Sequence, residues 1–194
     1  MASQDFEPDA QAFTAAIGVC GRAGRWHTAL SLLAQAEGAG KADSPCRNAA
    51  IAACGRVGLW GEAVHLLGTL AVGQRTVVSL NAAVTACAEA GEWEAALGLL
   101  GSALQTDTIT FNAALAACRN GGRWREALEV LDALAASRAA PDASSLTTAI
   151  TACERGGVPE TAMSLWRSLR AAGAPANTPA YNAALMAAAR GALW

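Results

Sequence analysis

The chain has 194 residues, of which 53% are hydrophobic and only 15% charged, and its formal net charge at pH 7 is -2. That length and composition suit one ordered domain or one array of repeats with a real core, and they exclude a disordered chain. The near-neutral charge excludes a strongly basic nucleic-acid glue and a polybasic membrane binder, and no apolar run approaches the roughly 18 residues of a membrane span. Alanine is the commonest residue, which favours helices with close backbone contacts. Residues 1–8 read as a tail. The stretch Met1-Ala2-Ser3-Gln4-Asp5-Phe6-Glu7 is acidic and lacks both the apolar core of a secretory signal and the Arg-rich amphipathic helix of a transit peptide.

From residue 9 onward the sequence matches itself when slid by 31 to 35 residues. Thr14, Asn48, Asn81, Asn112, Thr147 and Asn182 mark the register. Six residues past each stands Cys20, Cys54, Cys87, Cys118 or Cys153, with Ala188 in the last copy. Another six residues on stands Trp26, Trp60, Trp93 or Trp124, then Pro159, then Trp194. The implied organisation is five repeats, 9–43, 44–76, 77–107, 108–142 and 143–177, and the first helix of a sixth, 178–194.

Each copy reads as two helices. In the first, Phe13, Ala16, Ile17 and Cys20 recur at helical spacing. Gly24 ends that helix, as Gly58, Gly91, Gly122 and Gly157 do in later copies, because glycine takes a left-handed cap without a Cβ penalty. The second helix opens near Trp26 and carries Ala29, Leu30, Leu32 and Leu33; copies three and four repeat this with Ala96, Leu97, Leu99, Leu100 and with Ala127, Leu128, Val130, Leu131. The turn after Leu104 lacks the usual Gly and Pro and is expected to be tighter. The sixth copy reaches Trp194 where a second helix is due, so a fragment of a longer array is the expected reading, with further repeats or a protein partner at the open C-terminal face. No segment alternates with period two. The expected fold class is all-α: an α-α superhelix, or solenoid, of stacked helix-turn-helix repeats.

A Tyr/Phe-Asn-Ala-Leu start, a Cys before a Gly turn, a Trp-x-x-Ala-Leu second helix and the junction Ala140-Pro141-Asp142 resemble the pentatricopeptide repeat. The resemblance runs from about Asp9 to Trp194. The tetratricopeptide repeat fits less well, because its Trp belongs to the first helix and here Trp opens the second.

The resemblance implies binding of single-stranded RNA, about one base per repeat, in organellar RNA processing, stabilisation, editing or translation. The family acts mostly in mitochondria and plastids. The Thr/Asn residue and the last residue of its repeat together read the base. The pairs implied are Thr14 with Asp43, Asn48 with Thr76, Asn81 with Asp107, Asn112 with Asp142, and Thr147 with Asn177, and Asn182 begins a sixth. The family's code then implies a target of about 5′-G-Y-U-U-A-3′. An apolar residue three before the Thr/Asn sandwiches the base, a role that Val78 and Ile109 keep and Gln11, Pro45, Ser144 and Pro179 do not. A basic residue eight past the Thr/Asn faces the phosphates; Arg22, Arg56, Arg155 and Arg190 match, while Glu89 and Asn120 do not. The alternative is a helical-repeat scaffold for protein–protein contacts without RNA specificity.

Plainer readings stand beside these. The Thr/Asn series also suits helix N-caps, since such side chains satisfy orphan backbone donors. The Trp series suits core packing more than base stacking, given its register with Ala and Leu. The Arg row also suits a merely solvated face. The Cys series suits small buried thiols in a reducing compartment. A disulfide is unexpected, because packed helices lie roughly 8–10 Å apart and a bridge needs Cα atoms within about 7 Å. Cys46 is expected near a helix start, and exposed. No metal is expected, for there is no CxxC and His27 and His65 occupy non-equivalent places. No cofactor is implied. No phosphate loop, nucleophile elbow, paired carboxylates or zinc-deaminase signature occurs, so a non-enzyme is the expectation.

Overall fold

A computed structural model describes residues 8–70, 74–103, 105–137, 141–171 and 177–191. Among them the chain is all-α, the class of stacked helical hairpins expected above. The helices are α1 (Ala10–Arg22), α2 (Trp26–Gly38), α3 (Ser44–Gly55), α4 (Trp60–Thr69), α5 (Val77–Ala90), α6 (Trp93–Gly101), α7 (Thr108–Asn120), α8 (Trp124–Ala136), α9 (Ala143–Arg155), α10 (Pro159–Ala171) and α11 (Thr178–Gly191). No described helix is long and apolar enough to cross a membrane. The expected helix start at Trp194 and the turn at Leu104 lie outside the described residues.

The odd-numbered helices, each the first of a hairpin, begin with one device. The residue before each has an oxygen-bearing side chain that accepts the N–H three residues on: Asp9 from Ala12 at 2.7 Å, Asp43 from Cys46 at 2.8 Å, Thr76 from Ser79 at 3.2 Å, Asp107 from Thr110 at 2.8 Å, Asp142 from Ser145 at 2.7 Å and Asn177 from Ala180 at 3.0 Å. At Asp107 and Asp142 the Thr110 and Ser145 side chains bond back to the cap, closing a reciprocal box. The N-cap expectation for the Thr/Asn series is thereby corrected. Those six residues stand five positions past the cap, inside the helix, where the first orphan N–H groups are already satisfied.

The first five of these helices also end alike. Gly24, Gly58, Gly91, Gly122 and Gly157 have φ between 69° and 78°. The next residue's N–H closes back on the Cys carbonyl: Arg25 to Cys20, Leu59 to Cys54, Glu92 to Cys87, Arg123 to Cys118, Val158 to Cys153, at 2.8 to 3.1 Å. With each glycine N–H bonded three residues back, this is a Schellman turn repeated five times.

Two compact units, 1–86 and 87–194, divide the chain within α5. In the first, α1 packs on α2 and α3, and Phe13, Ile17, Ala29, Leu33, Ala36, Cys46, Ala50 and Ala53 form one apolar cluster. In the second, α7 packs on α9, α9 on α11, and each hairpin partner alongside; Ile150, Cys153, Ala162, Leu169, Ala180, Ala183 and Ala187 form its C-terminal cluster. The alanine three past each Trp position is fully buried at Ala29, Ala63, Ala96, Ala127 and Ala162. All six thiols are free, and all but the half-buried Cys20 are buried. Cys46 is therefore a correction to the exposed thiol expected from sequence. It lies three residues past its cap, on the side of α3 that meets α1, and its thiol hydrogen-bonds Thr14.

Candidate functional site

Capping decides where the candidate residues lie. On every first helix the cap residue, the residue two past it and the residue five past it share the N-terminal end. The cap is the last residue of the preceding repeat. In the second unit the base-reading candidates of one repeat and the next are thus brought together by stacking, although 30 residues separate them.

The second unit contains two such meetings. The Asn112 amide donates to both carboxylate oxygens of Asp142 at 3.4 Å, and its carbonyl oxygen accepts from the Ser145 hydroxyl. Ser145 also donates to Asp142 at 2.8 Å, so amide, hydroxyl and carboxylate form one network. Partial burial pushes the Asp142 carboxyl up, but hydrogen bonds from the Ser145 N–H and hydroxyl, the Asn112 amide and the Ser144 N–H outweigh it and hold the group below its ordinary value. In the next repeat the Thr147 hydroxyl lies 3.3 Å from the Asn177 side-chain oxygen and donates to the Ala143 carbonyl at 2.6 Å.

In the first unit Thr14 is held by the Ala10 carbonyl at 2.9 Å and reaches Cys46 beside the Asp43 cap. That contact repeats the Asn112–Ser145 one, since both partners stand three past a cap. Asn48 has a side-chain oxygen that is buried and has no hydrogen-bond partner, while Thr76 is exposed and engaged with Ser79. Asn81 and Asp107 fall in different units. Asn182 is exposed on α11.

Val78 and Ile109 stand two past their caps and are each 62% exposed, large apolar side chains left in solvent. Gln11, Pro45, Ser144 and Pro179 occupy the equivalent exposed places.

The arginines lie at the opposite ends of the same helices. Arg22, Arg56 and Arg155 are exposed. Arg190 is also exposed, but it donates to the Glu154 carbonyl at 2.9 Å and pairs with the Glu154 carboxylate at 2.8 Å, so its charge is partly offset. In copy four Asn120 donates to the Ala88 carbonyl at 2.8 Å instead. Arg119, one residue earlier, was missed in the sequence because it breaks the spacing. Burial and the charge of Arg155 both pull its guanidinium down from the ordinary value. It adds a cation to the end of α7.

Trp93 and Trp124 are packing residues. The Trp124 ring lies where a side chain on Gly156 would stand, Trp93 does the same at Gly121, and Arg123 covers the Trp93 ring at 4.4 Å. His27 and His65 are exposed second-helix residues, and His27 stacks on Trp26. Among the described residues no group of three or more His, Cys, Asp or Glu could hold a metal.

The pentatricopeptide repeat model matches residues 12–40 and 109–136, one hairpin in each unit. The chain carries pentatricopeptide repeats. It is similar in structure to pentatricopeptide repeat protein PPR10 from maize, with a TM-score of 0.68 and 29% identity over 91% of this chain. It is similar at 28% identity and the same TM-score to PPR10 in complex with an 18-nt psaJ RNA element. The chain spans only about a quarter of those proteins, 26% and 27% of their length. No curated protein matches it.

Proposed function

We propose that this pentatricopeptide repeat chain is a sequence-preferring module for single-stranded RNA. The observation that carries the reading is the Asn112–Asp142 pair, an amide and a carboxylate joined across two repeats at the N-terminal end of a helix. An amide has two N–H groups and an oxygen with two lone pairs, so the pair retains capacity for the edge of an unstacked base. The carboxylate orients the amide. Thr147 with Asn177, and Thr14 beside Asp43, offer the same construction with a smaller side chain. Val78 and Ile109 would flank bases, and Arg22, Arg56, Arg155 and Arg190 would meet phosphates, helped by Arg119. The likeness to a protein solved with RNA bound adds weight. The target 5′-G-Y-U-U-A-3′, and a mitochondrial or plastid setting, belong to the same proposal.

Fluorescence anisotropy with labelled G-U-U-U-A RNA, a permuted RNA and the matching DNA tests it. The matched RNA is expected to bind tightest. Asn81→Ala with Asn112→Ala is expected to lower its affinity at least ten-fold while circular dichroism stays unchanged. Equal binding by the double variant overturns base reading. Absence of binding at low salt overturns the RNA reading and favours the protein scaffold.

A further inference from the structure

Asn112 meets two residues of the next repeat, and only one of them is a reading candidate. Asp142 caps α9, and Ser145 stands three past it, fully buried. The Asn112 Oδ1 lies 2.5 Å from the Ser145 hydroxyl, and its Nδ2 lies 3.4 Å from both Asp142 carboxylate oxygens. A separation of 2.5 Å belongs to an O–H···O bond and is too short for N–H···O. Turned over, the amide would also set its oxygen against the carboxylate. Oxygen toward Ser145 and nitrogen toward Asp142 is therefore the arrangement that both neighbours accept. The Ser145 proton is shared, since the same hydroxyl lies 2.8 Å from Asp142 Oδ1. Held in this way, the amide keeps one N–H and one lone pair for a ligand, each in a fixed place.

The other pairs show what this hydroxyl adds. Thr14 and Thr147 donate to carbonyls of their own helices, Ala10 at 2.9 Å and Ala143 at 2.6 Å, which orients them from within. The places three past the next caps are then Cys46 and Ala180, and neither carries a hydroxyl. Asn112 takes its hold from the next repeat instead. Ser79 occupies the equivalent place after Asn48, but its hydroxyl donates to the Thr76 carbonyl at 2.7 Å, and the Asn48 oxygen has no partner among the described residues. A threonine cap has no carboxylate to draw that hydroxyl toward the amide, and Asp142 has one. We propose that Ser145 is a positioning residue which, with Asp142, fixes the Asn112 amide so that this repeat separates uracil from cytosine. Uracil presents a carbonyl beside an N–H on its pairing edge, and cytosine presents an amine beside a bare ring nitrogen, the reverse order. An amide free to turn over serves either base, whereas one held in place serves one. The inference rests on the RNA reading proposed above and adds to the Asn112–Asp142 pair a buried third member that touches no base.

The test measures the anisotropy of labelled G-U-U-U-A and G-U-U-C-A, which differ at the nucleotide implied for Asn112. The wild-type chain is expected to prefer the first about ten-fold, in keeping with one good base-edge contact. Ser145→Ala is expected to remove most of that preference. Ser145→Thr is expected to restore it, since Thr110 fills the equivalent buried place on α7. Ser79→Ala is the control: it takes away a hydroxyl that serves its cap alone, so it is expected to lower stability in urea melts and to leave the choice between G-U-U-U-A and G-C-U-U-A as in wild type. A wild-type preference that survives Ser145→Ala, or a shift as large from Ser79→Ala, reduces the hydroxyl to helix capping and overturns the proposal. If wild type binds both bases equally but a permuted RNA more weakly, the RNA reading stands and the proposal falls. If no RNA binds at low salt, both fall. Nuclear magnetic resonance of the RNA-free chain reads the positioning directly. The Asn112 side-chain amide signals, assigned by their loss in Asn112→Ala, are expected to move toward those of an exposed amide in Ser145→Ala, and unchanged signals overturn the hold.

Discussion

At the residue scale, the helix caps coincide with the implied reading positions. Asp9, Asp43, Thr76, Asp107, Asp142 and Asn177 cap helices, and all but Asp9 are also second members of the implied reading pairs. Asp142→Ala is therefore expected to cost about 1 kcal/mol of stability, read by urea melts, in addition to any effect on RNA. The linkage follows from its lowered native pKa. The stability it adds is present above the ordinary carboxyl value of 3.8 and is lost as pH falls through the lower native value. Asp142→Asn keeps an acceptor but cannot titrate, so its melts are expected to lose less stability than wild type between pH 5 and about 3. The thiols behave oppositely. Burial pushes Cys87, Cys118 and Cys153 up to about 11, so stability they favour is complete below 9.0 and falls as pH rises through 11. In the native chain a thiol reagent at pH 8 is expected to label about one site, Cys20, because thiolate and access are both needed. Rapid labelling of four or more contradicts the buried arrangement.

At the scale of elements, helix ends were easier to read than helix beginnings. The left-handed glycine after each first helix was legible because only glycine takes that conformation cheaply. The caps were not singled out, although Thr76 with Ser79, Asp107 with Thr110 and Asp142 with Ser145 carry the cap-and-return spacing in the sequence. Thr and Asn suit both a cap and a ligand-facing site, and the choice depends on which residue turns extended. Where helices touch, glycine has a second use. A Cβ on Gly55 would stand 2.8 Å from the Ala86 Cβ and 3.2 Å from its Cα, which is backbone and cannot swing away. Gly55→Ala is expected to destabilise by about 1–3 kcal/mol in urea melts. Gly98→Ala, in the interior of α6 with nothing within 4 Å, is expected to stabilise by about 0.5–1 kcal/mol. Equal effects from the two would mean that close approach does not govern the α3 contact.

At the scale of the whole molecule, the net charge of -2 conceals cations at the C-terminal ends of first helices in each unit. Arg22, Arg56 and Arg155 are exposed, and Arg190 is shared with Glu154. Three to four phosphate contacts predict a slope of about -2 to -3 for log affinity against log salt on single-stranded RNA. Glu154→Gln frees Arg190 and is expected to steepen it by somewhat under one unit; a slope near zero removes the arginines from the interface. The sequence by itself determined the all-α repeat class, the register and the glycine turns. Those depend on helical periodicity and on local backbone preference, which neighbouring residues dictate. Only the tertiary structure decided that Asn112 meets Asp142, that Arg119 feels Arg155, and that Arg190 is tied to Glu154. Each of those depends on how far one hairpin is offset against the next, a distance set by packed side chains about 30 residues apart and written in no single stretch of the chain.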